Sequence, residues 1–93
     1  MFQIDFKGAD INHQDKYGRT PLHVAAAVDY PEMVEFLLQS GADIEARTID
    51  ENQTPIHYAA QNDAAQSLKV LLNYGADMND MDYKGRTPLQ VSH

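Results

Sequence analysis

The sequence predicts an all-α array of stacked helical hairpins, and three observations predict it. Thr20-Pro21-Leu22-His23 returns as Thr54-Pro55-Ile56-His57 and again as Thr87-Pro88-Leu89-Gln90, at offsets of 34 and then 33 residues. Gly8-Ala9-Asp10 returns as Gly41-Ala42-Asp43 and Gly75-Ala76-Asp77, at 33 and then 34. Between the two motifs, apolar residues keep the i, i+3, i+4 spacing of one buried helix face. Two interleaved motifs drifting together at one period mark a repeat array.

Each element follows from its residues. Thr20 is a good N-cap, because its hydroxyl can accept a free backbone N–H of the first helical turn. Pro21 comes next, at the helical position where a missing N–H costs nothing. Leu22, Ala25 and Ala26 form one stripe, and the small alanines let two helices approach closely. Val28-Asp29-Tyr30 interrupts the helix and Pro31 opens a second, whose face is Val34, Leu37 and Leu38. Gly41 ends that helix as a left-handed C-terminal residue. The second unit matches with Ile56, Ala59 and Ala60, then Leu68, Leu71 and Leu72, then Gly75.

With its T-P-L-H-x-A-A signature, paired leucines and G-A-D segments, the chain resembles the ankyrin repeat family over essentially its whole length. The resemblance implies stacked helix pairs whose connecting segments project as β-turn fingers, near residues 9–19, 42–53 and 76–86. It makes residues 1–93 a single domain: the end of a partial repeat (1–14), full repeats over 15–47 and 48–81, and a truncated repeat over 82–93. Fingers one and three contain Asp15-Lys16-Tyr17-Gly18 and Asp82-Tyr83-Lys84-Gly85. Finger two is one residue longer, Arg47-Thr48-Ile49-Asp50-Glu51-Asn52-Gln53, with Asn52 in the glycine's place. Asn tolerates the left-handed conformation, so the turn is expected to survive in altered form. Asp29 and Asp63 replace the glycine that usually separates the paired helices, and both are expected to cap the second helix. Neither end shows a polar capping repeat, which suggests a piece of a longer array or self-association through the uncapped ends.

Composition narrows the function. Fourteen acidic residues against 7 basic ones give a net charge of −7. That balance argues against nucleic-acid binding and docking on anionic membrane, both of which need clustered positive charge. No apolar stretch approaches the ~20 residues of a membrane span, so no membrane insertion is expected. There is no cysteine, hence no thiolate chemistry and no disulfide. Met1–Lys7 has no basic start followed by an apolar run, so an intracellular site, cytoplasmic or nuclear, is expected.

No catalytic, cofactor or metal constellation emerges. His23 and His57 occupy equivalent positions, and in this motif the imidazole is expected to bond the capping threonine or a neighbouring finger's backbone. Gln90 in the third copy keeps the hydrogen bonding and abandons metal ligation. Asp10, Asp43 and Asp77, like Asp15 and Asp82, recur by period and do not converge on one pocket, as acid–base pairs must. Charge is sorted instead: Lys16, Arg19, Arg47, Lys84 and Arg86 are five of the seven basic residues, and all fall in fingers. Asp50 and Glu51 lie between them, so a partner would meet positive, negative and positive stations.

The family resemblance implies non-catalytic protein–protein recognition through finger tips and the exposed side of the first helices. That surface is Lys16, Tyr17, Arg19, Val28, Asp50, Glu51, Gln53, Gln61, Asn62, Tyr83, Lys84 and Arg86. Tyr17, Arg19, Tyr83 and Arg86 are the expected anchors, since Tyr and Arg predominate at energetic hot spots. Tyr17 and Arg86 are also read as removable without loss of thermal stability. The alternative is a structural spacer, or an autoregulatory or self-associating segment of a larger protein. Leu71 to Asn79 resembles the substrate pattern of the asparaginyl hydroxylase that modifies ankyrin repeats, making Asn79 a candidate for hydroxylation.

Overall fold

A computed structural model describes residues 10–91. Gly8, Ala9 and His93, which enter the repeat pattern above, lie outside the described residues. Five helices follow in order: α1 (Pro21–Ala27), α2 (Pro31–Gln39), α3 (Pro55–Gln61), α4 (Ala65–Asn73) and α5 (Pro88–Val91). Among the described residues there is no strand. α1 packs against α2 within its hairpin and against α3 of the next, α2 against α4, and α3 against α4 and α5. This is the stacked helix-pair solenoid with projecting fingers that the repeats predict.

The alanines set the spacing of the inner layer. Ala25, Ala26, Ala59 and Ala60 are all buried beside Leu22 and Ile56, and Val34, Leu37 and Leu71 close the core from the second helices. The paired leucines do not share a fate. Leu37 and Leu71 are fully enclosed, whereas Leu38 is only partly buried and Leu72 is 42% exposed. The second helices form the outer layer, so only one edge of their apolar stripe finds a neighbour.

Helix ends are closed by one device used four times. After α2, Gly41 N–H donates to Leu38 O at 3.2 Å and Ala42 N–H to Leu37 O at 2.9 Å, the paired bonds of a Schellman motif. Gly75 and Ala76 close α4 the same way. Asp29 and Asp63 close α1 and α3 with φ of 56° and 55°, so an aspartate takes the left-handed position that glycine would hold. The expected capping by Asp29 is redirected. Its Oδ1 accepts the Ser67 N–H at 2.9 Å, so it caps α4 of the next hairpin, while α2 has no side-chain cap.

Fingers one and two touch at a glycine. Gly18 has φ 83°, and a Cβ there would lie 2.6 Å from Ile49 N. Gly85 has a similar φ of 73° but open space around it. Gly85→Ala is therefore expected to cost only the left-handed penalty of about 1–2 kcal/mol, and Gly18→Ala distinctly more, as read by urea unfolding. Equal losses would show that the finger contact is unimportant. In the core, Leu71→Ala is expected to destabilise by about 2–5 kcal/mol, with Leu72→Ala costing clearly less in the same assay.

Candidate finger cleft and the histidine ladder

The fingers are held by the first helices through buried histidines. Thr20 N–H can only donate, and it points at His23 Nδ1 at 3.1 Å. The Gln53 carbonyl can only accept, and it lies 2.8 Å from His23 Nε2. The ring must therefore carry its proton on Nε2 and be neutral. The bond spans 30 residues of chain and ties the first turn of α1 to the next finger. His57 repeats the arrangement, with Thr54 N–H on Nδ1 at 3.2 Å and Nε2 on Arg86 O at 3.0 Å. In the third copy Gln90 Oε1 accepts Thr87 N–H at 2.9 Å.

Within each finger a side chain replaces missing backbone partners. Asp82 is buried; its Oδ1 accepts the N–H groups of Lys84 and Arg86, and its Oδ2 accepts Gln53 Nε2 and Arg86 Nε. Burial pushes its pKa up. The hydrogen bonds from the Arg86 backbone, the Gln53 amide, the Arg86 side chain and Lys84 outweigh that and hold it far below the usual carboxylate range. Asp15 builds finger one alike, with Arg19 Nε at 2.8 Å. In finger two Thr48 replaces the aspartate, and the Thr48 Oγ1 accepts the Gln53 N–H at 3.0 Å. Asn52 takes the left-handed position with φ 55°.

These contacts change the charge reading. Arg19, Arg86 and Arg47 are not free stations. They are paired with Asp15, Asp82 and Asp80, and Arg47 Nη1 also donates to the carbonyls of Asn52 and Met81. Removing Arg86 would strip a buried carboxylate of its counter-charge, so it is not a neutral surface change. The exposed cations of the finger tips are Lys16 and Lys84, with Nζ 5.2 Å from the Tyr17 ring centroid and 5.5 Å from the Tyr83 centroid.

Backbone bonds stitch finger two to both neighbours: Ile49 N–H to Tyr17 O and Tyr83 N–H to Glu51 O, each at 2.9 Å. Between them opens a cleft of about 610 Å³ lined by Tyr17, Arg19, Thr48, Asp50, Glu51, Tyr58 and Tyr83. Five of the expected surface residues thus converge. Lys16 and Lys84 are exposed on finger tips, while Val28, Gln61 and Asn62 are exposed around the C-terminal ends of α1 and α3. Gln53 does not belong to the surface. It is 1% exposed, because its amide is drawn inward to Asp82. Asn79 is exposed, and its N–H closes a turn on Asp77 Oδ1 at 2.8 Å.

Tyr58 was not among the expected contacts. It follows the buried His57, and its ring meets the His23 ring edge-on at 5.0 Å. The available signal was an aromatic at a helix position where the first unit carries the half-exposed Val24. Burial raises the Tyr58 pKa, and the Glu51 carboxylate raises it further. Elsewhere Glu45 is pushed up to about 7, by burial and then by the Asp80 carboxylate. Asp80 Oδ2 is buried without another donor among the described residues, so a protonated Glu45 is the group suited to supply one. Among the described residues no three side chains form a metal-binding cluster, and no helix is long and apolar enough to cross a membrane.

The family follows from comparison as well as from geometry. The profile described as "Ankyrin repeat" matches residues 17–49, and that described as "Ankyrin repeats (3 copies)" matches residues 45–92. The chain belongs to the ankyrin repeat family. Its relatives include an ankyrin repeat protein of fowlpox virus, 47% identical over 45 residues, 48% of this chain and 7% of that protein. Human protein phosphatase 1 regulatory subunit 27 is 44% identical over 43 residues, 46% of this chain and 28% of its own. Mouse ankyrin repeat and SOCS box protein 5 is 44% identical over 50 residues, 54% of this chain and 15% of its own. The matches thus span a minor part of each relative's length.

The burial of His23 depresses its pKa below the ordinary value of 6.5. An unfolded chain would bind that proton more readily, so the stabilisation is complete above about pH 6.5 and is lost as pH falls below it. Glu45 acts in the opposite sense, losing stabilisation as pH rises through about 7. His23→Gln leaves Glu45 untouched. Urea unfolding between pH 7.5 and 5.5 is expected to show a smaller acid-side loss in His23→Gln than in the parent; parallel profiles would contradict the assignment.

Proposed function

We propose that this chain is a non-catalytic recognition scaffold. It binds a protein partner through the finger tips and the exposed side of α1 and α3. The observation that carries this reading is the cleft itself. Its walls come from three fingers held in register by backbone bonds to Ile49 and Tyr83, so a partner meets a surface whose main chain is already ordered. Preorganisation of that kind lowers the ordering cost of association. Family membership supports the same reading, because ankyrin repeats are in general protein-interaction modules. The division into full repeats over 15–47 and 48–81 is part of the proposal.

Tyr17 and Tyr83 are 51% and 54% exposed and lie at opposite walls of the cleft. Tyr17→Ala combined with Tyr83→Ala is expected to reduce partner retention at least about tenfold, the scale of a lost hot spot, while the melting temperature moves little. Quantitative pull-down with the double variant as control, paired with thermal melting, checks both halves. Unchanged retention, or a fall in melting temperature that accounts for the loss, would count against the assigned surface.

A further inference from the structure

We infer that the finger cleft takes a basic side chain, a lysine or arginine from an extended segment of the partner, between the rings of Tyr17, Tyr58 and Tyr83 with Asp50 and Glu51 facing its charge. The inference rests on the scaffold reading above and specifies the chemistry of what the scaffold receives.

Three aromatic rings line one cleft of about 610 Å³, room for a long side chain and its flanking backbone. Ring faces attract cations, and the two outer rings already do so within this chain. Lys16 and Arg19 approach the Tyr17 centroid to 5.2 and 4.9 Å, and Lys84 approaches that of Tyr83 to 5.5 Å. Among the described residues the Tyr58 ring carries no such cation and instead stands edge-on to His23.

The ionised lining groups do not balance. Arg19 is neutralised by Asp15 at 2.8 Å, whereas neither Asp50 nor Glu51 makes an ion pair among the described residues. Among the lining groups the carboxylates of Asp50 and Glu51 therefore stand without an ion-pair partner, while the nearby Lys16 and Lys84 ammonium groups lie over the Tyr17 and Tyr83 rings. At the central ring, burial raises the Tyr58 pKa, Glu51 raises it further, Arg19 lowers it and Asp15 raises it. An acidic side chain would meet the Asp50 and Glu51 carboxylates, an arginine already paired with Asp15, and two lysines already seated on the outer rings. An apolar one would desolvate those carboxylates without compensation. A cation answers both the rings and the charge.

The test is an NMR titration of the full chain with capped heptapeptides carrying a central arginine, lysine, citrulline or glutamate between Ser-Gly flanks. The arginine and lysine peptides are expected to shift the Tyr17, Glu51, Tyr58 and Tyr83 signals saturably. Citrulline, nearly isosteric with arginine but uncharged, and glutamate are expected to bind at least about tenfold more weakly. Asp50→Asn with Glu51→Gln is expected to reduce arginine-peptide affinity by a similar factor. Citrulline matching arginine, glutamate binding in the cleft, absence of saturable shifts, or indifference to the double substitution would each overturn the inference. The partner pull-down separates the two ideas. Retention that still depends on Tyr17 and Tyr83 leaves the scaffold reading standing when the peptides fail, whereas retention indifferent to both removes it.

Discussion

A single hydrogen bond, from the Nε2–H of a buried histidine to the carbonyl of the next finger, is the interaction on which the rest of this structure depends. His23 caps the start of α1 through Thr20 and holds the Gln53 carbonyl at 2.8 Å. His57 does the same for α3 and the Arg86 carbonyl at 3.0 Å. Each ring thus satisfies an orphan donor at a helix start and an acceptor in a loop that no helix reaches. Because both groups are buried or nearly so, leaving either unpaired would carry a full desolvation penalty. Helix register and finger position are consequently set together.

The same economy runs through the neighbouring contacts with different residues. Gln14 Nε2 bridges the carbonyls of Gly18 and Arg47, and Arg47 Nη1 bridges those of Asn52 and Met81. The two side chains are chemically unlike, yet each joins its own finger's left-handed residue to the start of the next finger. Asn12 Oδ1 accepts the Asp43 N–H at 2.6 Å, a bond made forward to the following unit. Asp29 reaches forward in the same way to cap α4. The stack is stabilised by polar contacts that each unit makes with its successor, layered over a core of alanine and leucine.

That forward reach explains what the sequence alone discloses and what it hides. Thr20 with Pro21, Gly41 and Gly75 act within their own segments, so period and local chemistry suffice to place the helices and their ends. Asn52 is legible too, since its left-handed φ is a property of its own turn. Gln53, Asp29 and Arg86 are different. Their partners are Asp82, Ser67 and a carboxylate whose burial arises only on stacking. Arginine and glutamine in a loop resemble recognition residues until the fold shows what they are holding. Tyr58 escaped for the converse reason: its importance comes from the cleft that fingers one, two and three close around it, and nothing within α3 announces that cleft.

Finger two, the irregular one, gives the cleft its character. The bonds from Ile49 N–H to Tyr17 O and from Tyr83 N–H to Glu51 O are matching contacts at successive finger junctions, each at 2.9 Å. The ladder therefore absorbs the extra residue of finger two without breaking. The insertion falls between those two anchored positions, where Asp50 and Glu51 are exposed and make no ion pair among the described residues. Fingers one and three bind their own acidic residue to an arginine; finger two has Thr48 and Gln53 in those places, both neutral and buried. Substitution by neutral residues thus removes an internal ion pair at the centre of the array, and lengthening places two carboxylates beside it. A departure from the repeat that looks like a defect in the scaffold is what leaves unspent charge facing three tyrosines.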